Sequence, residues 1–110
     1  APYTELALGC SQGRPVVFSH AGPISGILRD DQATLMVKRD QAAKTTVYEA
    51  AINWRSLGIQ PHSGLRLRWG ILVNDADQTA LQGADRQAIE WFGGIFQKNA
   101  NELGDVTLCD

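Results

Sequence analysis

Several aromatic and planar polar side chains lie at or just beyond the ends of predicted strands, where they could bind a ligand. An aromatic ring can take the apolar side of a pyranose, while amide and carboxylate groups pair with its hydroxyl groups. The candidate sugar-binding patch of these residue types comprises Trp91, Phe96, Gln97, Asn74 and Asp75. In the structural alternative, Trp91 packs in a core and the Asn74-Asp75 pair caps a turn.

Acidic residues beyond one of these strands could hold a cation. Asp75 and Asp77, with Asp85 nearby, offer oxygen ligands of the kind that calcium prefers. The segment lacks the third aspartate, the glycine and the distal glutamate of the calcium-loop spacing. Asp75 and Asp77 are therefore candidates for a structural calcium site, a solvated acidic loop is the alternative, and no other cofactor is predicted.

No arrangement of residues in the sequence predicts catalysis. The chain has no Ser-His-Asp set, P-loop or glycine fingerprint. His20 and His62 stand in separate predicted loops, so we expect both at the surface. Met36 is predicted to pack in a core rather than to bind haem. We expect Glu49 and Glu90 to face solvent rather than to form a hydrolytic pair. The sequence therefore predicts that the protein is not an enzyme.

Two cysteines, Cys10 and Cys109, lie near the two ends of the chain. A disulfide between them would close almost the whole chain and remove about 4–5 kcal/mol of denatured-state entropy. Two half-buried thiols are the alternative, because a sequence does not show whether two Cα atoms lie within bonding reach.

Length and composition narrow the class of protein. A chain of 110 residues with 44% hydrophobic and 20% charged residues is typical of one globular domain. Its net charge of −2 argues against nucleic acid or an anionic membrane as the partner. No apolar run approaches the roughly 20 residues that span a bilayer. The start at Ala1, without Met or a signal peptide, indicates a processed or excised piece.

Alternating apolar residues predict the strands that must position these side chains. A hairpin is expected from residues 3–8 and 15–18 around a turn at 11–14, followed by a loop over 19–31. The segment 77–92 fits a helix and a strand equally well. Further strands are predicted over 34–39, 45–54, 65–74 and 105–109. Six or seven short strands favour an all-β fold, an antiparallel sandwich.

The strand over residues 45–54 has the strongest pattern. One face carries Tyr48, Ala50 and Ile52, and the opposite face is also partly apolar, which is typical of a central strand. A single helical turn ended by a glycine is predicted next, with Trp54 packed at the corner. In the strand over 65–74, Trp69 belongs to an alternating, half-buried apolar face.

Four motifs follow one another along the chain: YEAAINW at 48–54, LVNDAD at 72–77, IEW at 89–91 and LGDVTL at 103–108. In order and spacing they resemble the C-terminal part of family 9 carbohydrate-binding modules, and the resemblance covers roughly residues 34–108. It implies an antiparallel, jelly-roll-like β-sandwich that lacks the N-terminal strands of the family. Residues 1–110 would be a single module or the C-terminal part of one, with a loop at 77–83 and a strand at 87–91.

The chain departs from the family at ligand-contacting positions. Sugar-binding members hold a terminal sugar between two tryptophans, one of them in the region that this chain lacks. At the other position the chain has Phe96 and Gln97, and Leu72 stands in place of a sugar-contacting glutamine. Asn53 replaces the usual proline.

The resemblance implies a non-catalytic module that docks a polysaccharide-active enzyme, such as a glycoside hydrolase or polysaccharide lyase, onto glycan outside the cell or in the periplasm. The alternative is an assembly domain that packs against a catalytic partner without binding sugar. The expected partners are a carbohydrate or a catalytic domain. A second polypeptide supplying the missing strands, or a homodimer, would complete the sandwich, because missing strands leave edges and a core face open.

Overall fold

The computed structural model describes residues 3–75, 87–91, 95 and 99–109. The chain divides into two compact units, Ala1–Gln60 and Pro61–Asp110. Most described residues lie in antiparallel strands, accompanied by one α-helical turn and one 3-10 turn, which confirms the predicted all-β class. No helix in these ranges is long and apolar enough to cross a membrane. Closure into a single sandwich stays a prediction.

The first unit contains two antiparallel sheets. The strands are β1 (Glu5–Ser11), β2 (Arg14–Ala21), β3 (Gly26–Ile27), β4 (Ala33–Asp40) and β5 (Thr45–Ile52). One sheet has the order β1-β2-β3 and the other pairs β4 with β5. The predicted N-terminal hairpin is confirmed, but the predicted loop at 19–31 is partly wrong, because β2 continues to Ala21 and Ser19 is buried in it.

A small core lies between these two sheets. Its buried hydrophobic residues are Val17 of β2, Leu28, and Ala33 of β4. Four partly buried residues pack against them: Leu6, Ile24, Leu35 and Ile52. These side chains come from four strands and the segments beside them, so the core joins the two sheets of the unit.

The register of β4 and β5 confirms the predicted faces of β5 but not its predicted central position. Ala50 lies opposite Leu35, and Tyr48 lies opposite Val37. Among the described strands β5 pairs with β4 alone, and seven of its eight residues are exposed. The prediction that Met36 packs in a core is also wrong. Met36 is 63% exposed, because alternation places it on the face opposite Leu35, which packs on the core.

A helical turn, α1 (Trp54–Leu57), follows β5, which ends at Ile52. The predicted glycine stop is confirmed: Gly58 has a φ of 74°, its N–H donates to the Arg55 carbonyl, and the Ile59 N–H donates to the Trp54 carbonyl at 3.0 Å. Asn53 anchors the corner through its backbone N–H, which donates to the Gln32 carbonyl at 3.0 Å. A proline here could not make that bond.

Buried Ser56 strengthens the same corner. Its hydroxyl donates to the Gln32 carbonyl at 3.0 Å, and the Asn53 side-chain amide donates to the Asp31 carbonyl. Nearby, Arg29 and Asp31 form an exposed ion pair at 3.0 Å. The hydrogen bond from Arg29 lowers the pKa of Asp31, and the same bond raises the pKa of Arg29.

The second unit contains two strand pairs. The elements are β6 (Arg66–Trp69), β7 (Ile71–Asp75), β8 (Gln87–Trp91), a 3-10 turn (Ala100–Glu102) and β9 (Gly104–Thr107). The predicted strand at 65–74 is divided at Gly70, so that its halves pair with different partners, β6 with β9 and β7 with β8. The predicted strands at 87–91 and near 105–109 are confirmed, while the predicted loop at 77–83 lies outside the described residues.

Candidate functional site

Two tryptophan rings meet on the surface of the second unit. Trp69 is the last residue of β6 and Trp91 is the last residue of β8. Their ring centroids are 5.4 Å apart, and the ring planes meet at 67°. This edge-to-face arrangement is favourable for aromatic pairs. The contact between the rings helps to hold both in place. Both remain accessible, because Trp69 is 39% and Trp91 is 56% exposed.

Gly70 brings the two tryptophans together. It separates β6 from β7 and lies in close contact with neighbouring atoms. A Cβ at this position would lie 2.9 Å from the Leu103 Cδ2 atom, 3.3 Å from the Ile95 Cδ1 atom and 3.3 Å from the Trp91 carbonyl oxygen. The residue that links the two strands must therefore lack a side chain to keep this close approach.

The aromatic pair continues into an exposed apolar surface, which we call the β7–β8 face. Ile71 lies opposite Trp91 and Val73 lies opposite Ile89, and residues directly opposite in an antiparallel pair share a face. All four are exposed. The predicted half-buried face is therefore only partly correct. Leu65 and Leu67 are half-buried, whereas the residues from Trp69 to Val73 on that face are exposed.

The structure separates the members of the predicted sugar-binding patch. Trp91 lies opposite Ile71, whereas Asn74 and Asp75 lie opposite Ala88 and Gln87 near the other end of the hairpin. At about 3.4 Å per residue, the Asp75 backbone is about 14 Å from Trp91 along the strands. The partner of Trp91 is Trp69 instead. The remaining patch residues, Phe96 and Gln97, lie outside the described residues.

Trp69 was not among the predicted ligand-binding residues. Its alternation with charged residues predicted a half-buried strand face, and the contact with Trp91 depends on the pairing of β7 with β8, two segments that are not contiguous in the chain. The usable signal was the glycine directly after it. A glycine inside a strand pattern often marks a bulge or a close backbone approach.

Charged side chains lie on the opposite face of β6 from Trp69. The Asp105 Oδ1 atom is 3.5 Å from Arg68 Nε, and Asp105 Oδ2 is 3.9 Å from Arg66 Nη2. The Arg68 Nη1 group donates to Asn101 Oδ1 at 3.2 Å. Two guanidinium groups share one carboxylate in this exposed group, so this face carries a local positive excess. Ion pairs this exposed contribute little to stability.

The other predicted sites have separate outcomes. Within the described ranges no three His, Cys, Asp or Glu side chains form a group that could hold a metal ion. Asp77 lies outside those ranges, and for Asp75 the structure gives the strand position alone, so the calcium site stays a prediction.

Cys10 and Cys109 are exposed free thiols, one in each unit, and their pairing stays a prediction. His20 and His62 are exposed, as predicted.

In comparisons with known proteins, no family model matches the chain, and no curated protein or solved structure matches it.

Proposed function

We propose that the protein is a non-catalytic module that binds carbohydrate through the Trp69–Trp91 pair. The observation that carries the proposal is the exposure of two tryptophan rings held at 67° to each other. Exposed, fixed aromatic rings supply the apolar contact that a pyranose needs, at little cost in side-chain entropy.

The roles of the two rings follow from their exposure. Trp91 is the more exposed ring, so in this proposal it stacks against one side of the sugar. Trp69, whose plane meets that of Trp91 at 67°, would form a wall beside the stacked sugar. Hydrogen bonds from polar groups would orient the ligand. The predicted residue Asp75 belongs to the same strand face as Ile71, four residues farther along β7, whereas alternation places Asn74 on the opposite face. That separation suits a glycan chain of several sugars better than a monosaccharide.

In this proposal the module serves an enzyme that acts on polysaccharide outside the cell or in the periplasm. It would keep a linked glycoside hydrolase or polysaccharide lyase close to its substrate, because tethering raises the local concentration of both. The resemblance of residues 48–54, 72–77, 89–91 and 103–108 to family 9 modules supports this role.

Assembly against a catalytic partner is the second candidate. The observation that favours it is that the β7–β8 face continues from the tryptophans into the exposed aliphatic residues Ile71, Val73 and Ile89. Continuous exposed apolar surface often marks a protein interface. A protein partner would cover this whole face, whereas a glycan would depend mainly on the two rings.

Calorimetric titration with soluble polysaccharides tests the first candidate. We expect saturable binding to at least one of xylan, mixed-linkage β-glucan or pectin. Trp91→Ala and Trp69→Ala should each weaken the binding affinity roughly 10-fold or more. A tryptophan that the bound ligand covers contributes more than about 1.4 kcal/mol to binding. Trp54→Ala, a change at a similarly exposed tryptophan of the first unit, should leave the affinity unchanged.

Two results would count against carbohydrate binding. One is a folded protein that binds none of the polysaccharides, and the other is a Trp91→Ala variant that binds as the wild type does. Assembly would be favoured instead if the protein binds no glycan but forms a complex with a purified catalytic domain. Val73→Asp should then weaken that complex.

A further inference from the structure

The outer edge of β5 is an uncovered strand edge in the first unit. Within the described part of the chain, β5 pairs through one edge with β4 and has no strand on the other. Seven successive residues, from Thr45 to Ala51, are exposed, among them the large side chains of Val47 and Tyr48.

This edge lacks the features that usually protect an edge strand. Charged residues, prolines, bulges and short length discourage strand addition. β5 has eight residues, no proline and one charged residue, Glu49, and its register with β4 shows no bulge. By contrast, β4 carries Lys38, Arg39 and Asp40, and the β1 ladder has a register shift next to Glu5.

We propose that β5 pairs antiparallel with β5 of a second copy of this chain, about a two-fold axis at Tyr48. Water can satisfy the backbone of an exposed edge, but among protein partners an extended strand is the one that pairs with it along its whole length. A second copy supplies an edge of the same length and of the same apolar character. The result is a continuous four-stranded sheet, β4-β5-β5-β4, across the two copies.

The sequence of β5 selects the register. Directly opposite residues share a face, so a two-fold axis that keeps both copies' faces aligned must pass through a residue pair. Axes at Tyr48 or Glu49 give the longest overlap of an eight-residue strand. An axis at Glu49 places two carboxylates directly opposite each other, which is unfavourable. An axis at Tyr48 pairs the two tyrosine rings and places each Glu49 opposite Val47 of the other copy.

The size of this interface predicts a weak, concentration-dependent dimer. The β5 edge is about 27 Å long, and a single strand edge with its flanking side chains covers less than the roughly 800 Å² per partner of a standard interface. The edge lies in the first unit and the tryptophan pair in the second, so this proposal does not depend on carbohydrate binding.

Sedimentation velocity tests the dimer and its dependence on the edge. The wild type should shift from monomer to dimer as its concentration rises into the high micromolar range. Tyr48→Lys should remain monomeric, because it places two ammonium groups at the axis. Tyr3→Lys removes another exposed tyrosine and should dimerise as the wild type does. A wild type that stays monomeric up to about 1 mM, or a Tyr48→Lys dimer of unchanged affinity, would overturn the proposal.

Cysteine cross-linking tests the register in a Cys10→Ser, Cys109→Ser background. Tyr48→Cys should form a disulfide-linked dimer under mild oxidation, because each residue 48 lies opposite its own copy. Ala51→Cys lies opposite Thr45, so its two copies are about 20 Å apart and should not cross-link. Cross-linking of Ala51→Cys at the same rate as Tyr48→Cys would rule out this register.

Discussion

Gly70 shows how one residue without a side chain shapes the candidate site. The chain passes there from a strand that pairs with β9 to a strand that pairs with β8. The backbone of Gly70 lies so close to β8 that a Cβ added at Gly70 would be 3.3 Å from the Trp91 carbonyl oxygen. Side-chain ends such as Leu103 can shift, but a ladder carbonyl moves only with its strand, so this position tolerates little besides glycine.

Gly70→Ala should therefore lower the free energy of unfolding by about 1–3 kcal/mol, the usual cost of overpacking. It should also alter the fluorescence of the Trp69–Trp91 pair. Gly9→Ala is the control, because a Cβ there meets nothing within 4 Å and the φ of Gly9 is not positive. Urea unfolding of both variants measures the difference. Equal stability of the two would contradict the close contact at Gly70.

The β1–β2 hairpin illustrates what a local element requires of its residues. Gln12 and Gly13 connect the strands with φ angles of 52° and 78°. Two successive residues with positive φ form the type I′ connection, whose twist matches that of the strands. Glycine adopts this conformation without strain, whereas glutamine is less suited to it than asparagine.

Gln12→Asn should stabilise the protein by about 0.5 kcal/mol, because the Asn-Gly pair is the preferred sequence for this turn. Gln12→Val should have the opposite effect, since a β-branched residue is strained at positive φ. Thermal unfolding followed by circular dichroism distinguishes the three proteins. A midpoint for Gln12→Asn at or below that of the wild type would show that the turn does not limit stability.

At the scale of the whole molecule, the described core is small for 110 residues. Among the described residues of the first unit only three hydrophobic residues are buried, and no large side chain in the described ranges is fully buried. Large hydrophobic residues remain exposed in both units, among them Tyr48, Ile89 and Trp91. The described residues bury little apolar area, so covering their exposed surface should add stability.

Val17→Ala should destabilise the first unit by about 2 kcal/mol, because it empties part of a core that has few other members. Hydrogen exchange should accelerate throughout β1–β5 and change less in β6–β9. Val73→Ala is the matched control: Val73 is exposed, so the loss should be below about 1 kcal/mol. Equal acceleration in both units would show that they unfold together.

The sequence alone determined the features that depend on neighbouring residues. Alternation of apolar residues predicted most strands, the 11–14 cluster predicted the hairpin turn, and the glycine at 58 predicted the end of α1. These features are local, because strand faces, turns and helix ends follow from the conformational preferences of a few successive residues. The faces of β5 were correct for the same reason.

Only the tertiary structure decided which strands meet and which faces are covered. Gly70 marks a break in the 65–74 pattern, but the pattern does not show which strands the two halves pair with, and Trp69 became part of the candidate site through that pairing. The two apolar faces of β5 predicted a central strand, yet β5 pairs with β4 alone in the described part of the chain. Apolar alternation shows that a face can be buried, but not which segment buries it, because pairing partners lie far apart in the chain.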